Sequence, residues 1–139
     1  MATTARDIMT ADPRTITAST TLTEAARLMR DLDVGVLPIC ADDQHLTGIL
    51  TDRDIVVRCI AEGGDPREVS AGALSDGDPV SIHADDPIDD VFNTMAEYQL
   101  RRLPVIENDR LVGIISEADI ARDGNTEEIA DTVQAVTQS

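Results

Sequence analysis

Hydrophobic and polar positions follow two periods along this chain, and the pair of periods occurs twice. Leu22, Ala25, Ala26, Met29 and Leu32 recur at helical spacing and draw one apolar stripe across a charged segment. Thr21 and Glu24 ahead of them have the spacing of a capping box. Two short strands follow, "VGVLPIC" and "LTGIL", with polar "ADDQH" between them. Ile88, Val91, Phe92 and Met95 then redraw the stripe behind the start signal of Asp86, Pro87 and Asp89, and "RRLPVIE" and "LVGII" redraw the strands. A short extended segment after an Asp-Pro turn opens each half, "TIT" at 15–17 and "SIH" at 81–83. A helix that starts at Thr51 or Ser116 closes each half. The expected fold is therefore α/β (α+β), a β-α-β-β-α unit made twice.

The halves align residue on residue. Asp12-Pro13 matches Asp78-Pro79, Met29 matches Met95, and Leu37-Pro38 matches Leu103-Pro104, all at one spacing. Past the prolines the spacing shortens by one, because "ADDQH" is one residue longer than "ENDR"; Gly48 then matches Gly113 and Asp54 matches Asp119. A polar loop is where a duplicated chain tolerates such a change. The expected layout is a first repeat over 5–62, a linker over 63–72, a second repeat over 73–122 and a tail over 123–139, where Ile129, Val133 and Val136 have the spacing of a short helix. The first closing helix is oily nearly all round (Ile55, Val56, Val57, Cys59, Ile60) and has to be covered by the chain or by a second copy.

Composition narrows the function. With 42% hydrophobic residues the 139-residue chain can build a core, yet aromatics are 1%, so bases cannot be stacked on aromatic platforms. Eleven basic against 27 acidic residues leave a net charge of −16, a field that repels nucleic acid and anionic membrane surfaces. The opening "MATTARDIMT" has no apolar stretch of signal-peptide length, and no run is long enough to span a bilayer, so a soluble, cytoplasmic protein is expected. Cys40 and Cys59 lack CxxC spacing and read as small buried hydrophobes, with a disulfide left open. His45 falls in a turn and His83 on a short strand, neither spaced for a metal. No nucleophile, base and orienter can be named together, so an enzyme is not expected.

The remaining chemistry lies in "GILTDRDI" and "GIISEADI", where Thr51-x-x-Asp54 and Ser116-x-x-Asp119 head the closing helices. As caps, they satisfy helix N–H groups and stabilise by about 1 kcal/mol without any ligand. As a site, the same geometry sets a hydroxyl beside unpaired N–H groups where a phosphate fits, with an aspartate able to accept from a diol.

Two copies of "LPI…GILTDRDI" and "LPVIENDRLVGIISEADI" resemble the CBS domain, and the tandem resembles a Bateman module; "ARDIM" and "LTDRDIV" are similar to the bacterial hypoxic response type of stand-alone pair. The resemblance implies two units related by pseudo-two-fold symmetry, a homodimer joined through helices, and clefts that take AMP, ADP, ATP, S-adenosylmethionine or NAD. It further implies that Thr51 and Ser116 face phosphate and that Asp54 and Asp119 take the ribose. Ile16, Thr17, Ala18 and Leu37, and Ile82, His83, Ala84 and Leu103, would form the base slots. Arg102 matches a phosphate-facing basic position, with Arg53 or Arg101 assisting. The net charge disfavours a triphosphate relative to AMP, ADP or the sulfonium cofactor. Two functions fit: a regulatory sensor of an adenosine ligand, signalling through its dimer or a partner, or a ligand-free interaction protein in which the motifs only cap helices.

Overall fold

A computed structural model describes residues 3–75, 77 and 79–123, with side chains through Ala121. In chain order the elements are α1 (Ala5–Ile8), β1 (Thr10–Ala11), α2 (Leu22–Leu32), β2 (Val36–Cys40), β3 (Leu46–Thr51), α3 (Asp52–Asp54), β4 (Ile82–His83), α4 (Ile88–Tyr98), β5 (Arg102–Glu107), β6 (Arg110–Ser116) and α5 (Glu117–Asp123). A π-helical turn, Ile55–Ile60, continues α3, and a 3-10 turn, Ala71–Leu74, precedes β4. The expected tail helix over Ile129, Val133 and Val136 lies outside the described residues.

The chain divides into two compact units, Arg14–Pro79 and a second that joins the residues up to Pro13 with those from Val80 onward. The repeat in sequence and the unit in space are thus offset: the chain's first residues pack with its second repeat.

In the Arg14–Pro79 unit, β2 and β3 pair antiparallel, and Ile16 bridges parallel to Ile39, so "TIT" is a single bridge rather than a strand. Thr21 caps α2 by accepting from Glu24 N–H at 3.2 Å, as its spacing predicts. Leu22, Ala25 and Met29 enter the core with Ile16, Leu37, Ile39, Leu50, Ile55 and Cys59. Ala26 and Leu32, expected on the same stripe, are exposed; the buried face is narrower, and Asp33 turns left-handed straight after Leu32 to end the helix. The closing helix also departs from the expected α geometry. Ala61 N–H bonds Val56 C=O at 2.9 Å, five residues back. Ile55 and Cys59 point inward, while Val56, Val57 and Ile60 are left at 59%, 41% and 51% exposure.

In the other unit four strands run in the order β1-β6-β5-β4, with β4 parallel to β5 and the rest antiparallel. Val91, Phe92 and Met95 of α4 pack on Leu103, Val105 and Ile115 and on Ala5 and Ile8 of α1. Asp86 does not cap α4; Pro87 holds that position, and the Asp86 carboxylate turns back to accept from His83 N–H at 2.9 Å. β1 lies close against β6 because residue 113 is glycine: a Cβ there would stand 2.4 Å from Met9 Sδ and 3.0 Å from the Thr10 carbonyl oxygen.

Candidate functional site

Each Thr/Ser-x-x-Asp motif is delivered by the last residue of a strand. β3 ends on Thr51, paired across the sheet with Val36; β6 ends on Ser116, paired with Arg102. At Thr51 the box closes on itself: Asp54 N–H donates to Thr51 Oγ1 at 3.1 Å, and Thr51 N–H donates to Asp54 Oδ2 at 3.0 Å. Asp54 is half-buried, and its Oδ1 meets no donor among the described residues.

At Ser116 the same box is more fully engaged. Asp119 N–H donates to Ser116 Oγ at 3.3 Å, while Asp119 Oδ2 accepts Ser116 N–H at 2.8 Å and the Ser116 hydroxyl at 3.1 Å. Asp119 is only 5% exposed, and its Oδ1 lies 3.5 Å from the Thr10 hydroxyl on β1.

Strand register therefore brings Arg102, Ser116 and Asp119 together; the exposed Arg102 guanidinium also donates to Arg101 C=O at 2.9 Å. Arg101 and Arg53 are exposed, and Arg53 uses its N–H on Asp52 Oδ1. Of the base-slot residues, Ile16, Leu37, Ile82, Ala84 and Leu103 are buried, whereas Thr17, Ala18 and His83 are exposed. Several slot carbonyls are already taken: Ile16 C=O accepts from Cys40 N–H at 2.8 Å, Thr17 C=O from Thr20 N–H at 3.1 Å, His83 C=O from Asp86 N–H at 3.0 Å, and Ala18 C=O from Gly72 N–H and Ala84 C=O from Arg6 N–H, both at 2.9 Å.

Sequence reasoning missed Thr10 and Arg6. The Arg6 guanidinium bonds Glu107 and Asp85, which raise its pKa and fix α1 to this unit. Ala5 and Ile8 match Ala71 and Leu74 at the repeat spacing, a signal that the repeat begins upstream of its first strand. Cys40 and Cys59 are free buried thiols, and burial pushes the Cys40 thiol up. Among the described residues no group of three His, Cys, Asp or Glu could hold a metal, and no helix is long and apolar enough to cross a membrane.

The CBS domain model matches residues 5–60 and 71–124. Hypoxic response protein 1 of Mycobacterium tuberculosis is 48% identical over 134 residues, 96% of this chain and 94% of that protein. The crystal structure of Hypoxic Response Protein I with two coordinated zinc ions superposes with a TM-score of 0.83 at 50% identity, covering 88% of this chain and all of that one. The CBS domain pair of protein MJ0100, solved in complex with 5'-methylthioadenosine and S-adenosyl-L-methionine, superposes with a TM-score of 0.76 at 28% identity over 88% of this chain and 95% of that one. The duplicated strands, the twice-built Thr/Ser-x-x-Asp cap and these likenesses agree: the chain belongs to the CBS domain family, as a tandem pair similar to the hypoxic response proteins.

Proposed function

We propose that this chain is a regulatory module, not an enzyme, that binds an adenosine-containing ligand at its duplicated Thr/Ser-x-x-Asp motifs. One observation carries this: β5–β6 register sets Arg102 directly across from Ser116, so a cation, a hydroxyl and the Asp119 carboxylate share one sheet end. Cation and hydroxyl suit a phosphate, and a carboxylate oxygen suits a ribose hydroxyl. S-adenosylmethionine and methylthioadenosine in a relative's CBS pair support the ligand class.

In this account Thr51 and Ser116 meet phosphate or its equivalent, and Asp54 and Asp119 take the ribose. Base contact comes from the exposed Thr17, Ala18 and His83 and from the backbone flanking Ile16, Leu37, Ile82, Ala84 and Leu103. Output passes through a homodimer built on the exposed Val56, Val57 and Ile60, whose matching positions in the second repeat begin with Ala121 and Arg122. The two zinc ions belong to the relative's structure; among the described residues of this chain no group of three His, Cys, Asp or Glu could hold a metal, and zinc is not part of this proposal.

The interaction-protein alternative also rests on an observation. Both hydroxyls and both Oδ2 atoms already serve the caps. Thermal unfolding against AMP, ADP, ATP, S-adenosylmethionine and NAD separates the two. A ligand at a hundredfold its dissociation constant adds about 2.7 kcal/mol, a rise of roughly 10 °C for a chain of this size. No rise with any of the five at millimolar concentration leaves the motifs as caps.

A further inference from the structure

We infer that Thr10, on the N-terminal strand, is a gate residue for the second motif, and that the two ligand sites are therefore unequal. This rests on the adenosine-ligand function proposed above. A diol is taken most readily by a carboxylate oxygen whose lone pairs no protein donor already uses. Asp54 offers Oδ1, which meets no donor among the described residues. Asp119 has Oδ2 committed to Ser116 and has the Thr10 hydroxyl at Oδ1, and it is 5% exposed.

The position of Thr10 is not a side-chain accident. β1 pairs with β6 through Thr10–Ile114 and Ala11–Gly113; Asp12 N–H bonds Val112 C=O at 3.2 Å; and the close approach over Gly113 fixes the strand's height above the sheet. Arg6, bonded to Glu107 and Asp85, anchors the segment just ahead of it. Thr10 thus plays internally the part that a ligand hydroxyl would play. At 3.5 Å the link is long, so a better-placed hydroxyl can displace it by rotating the threonine side chain. The counterpart of Thr10 at the repeat spacing is Asp76, a residue without a hydroxyl, which lies outside the described residues. A diol ligand consequently fills the Thr51–Asp54 site first, and the Ser116–Asp119 site only by competing with Thr10.

The test is calorimetric titration of wild type, Thr10→Val and Asp54→Asn with whichever of the five compounds raises the melting temperature, beside a stability cycle on Thr10→Val and Asp119→Asn. Wild type is expected to show a tighter and a weaker step, Thr10→Val to tighten only the weaker one by roughly five-fold, and Asp54→Asn to remove the tighter one. In the cycle, Asp119→Asn is expected to cost less in the Thr10→Val background than in wild type. Two equal steps in wild type, or a weaker step that Thr10→Val leaves unchanged, overturn the gate while the ligand function stands. Additive melting shifts in the cycle overturn it without any ligand. Failure of every compound to bind both wild type and Thr10→Val overturns the ligand function itself, and the cycle alone then decides whether Thr10 holds Asp119.

Discussion

The two motifs were written by one duplication and have come to differ in what surrounds them. Around Thr51–Asp54 the neighbour across the sheet is the apolar Val36, the aspartate is half-buried, and its Oδ1 meets no donor among the described residues. Around Ser116–Asp119 the cross-sheet neighbour is Arg102, the aspartate is buried, and a strand from the far end of the sequence stands over it. The cap is common to both, so the cap carries the fold; whatever distinguishes the sites lies in the residues added around it. The first site offers an acceptor with Arg53 as its neighbouring cation, the second Arg102 beside an acceptor that is already engaged.

The closing helices differ in the same spirit, and a charge placed there breaks the comparison most visibly. Ile60→Asp is expected to halve the sedimenting mass, because it puts an unpaired charge into the apolar face formed with Val56 and Val57. A wild type that sediments as a monomer at micromolar concentration contradicts the homodimer outright.

Glycine substitutions probe how tightly each motif strand is overlaid. At Gly113 a new Cβ meets the Thr10 carbonyl oxygen at 3.0 Å as well as Met9 Sδ, so Gly113→Ala is expected to cost about 2–3 kcal/mol by forcing β1 off β6. At the matching Gly48 the nearest atom is Ser75 Oγ, which can rotate away, so Gly48→Ala is expected to cost about 1 kcal/mol or less. Chemical denaturation of the two variants checks the order; equal costs would mean that the overlay is no tighter in the second repeat.

The smallest effect sharpens the site assignment. Arg102 is exposed, and its guanidinium donates to the neighbouring Arg101 carbonyl, so Arg102→Ala should leave stability nearly unchanged. It should weaken a phosphate-bearing ligand about ten-fold, the loss of one charge-assisted bond. Unchanged affinity removes Arg102 from the site.

Much of this was legible in the chain. The stripes from Leu22 to Leu32 and from Ile88 to Met95 span about two to three helical turns, and the β2–β3 and β5–β6 hairpins carry strand patterns of five to seven residues, long enough for a period to declare itself. α1 has four residues and β1 two, too little signal for a pattern to show, and their packing with the second repeat is set by contacts 79 to 109 residues apart in sequence, such as Arg6–Asp85 and Thr10–Asp119. The π-helical turn was hidden because its oily composition fits any helix. Thr51, Asp54, Ser116 and Asp119 could be named as cap residues from spacing alone, since capping chemistry is local. That Asp119 is sealed and Asp54 is not depends on where β1 docks. Local pattern carries no record of that.

The most direct measurement is equilibrium binding of S-adenosylmethionine and AMP to wild type and to the Asp54→Asn, Asp119→Asn double variant, with folding of both confirmed by circular dichroism. The account predicts saturable binding to wild type and its loss in a variant that still folds. Equal binding by both chains, or none by wild type, contradicts it.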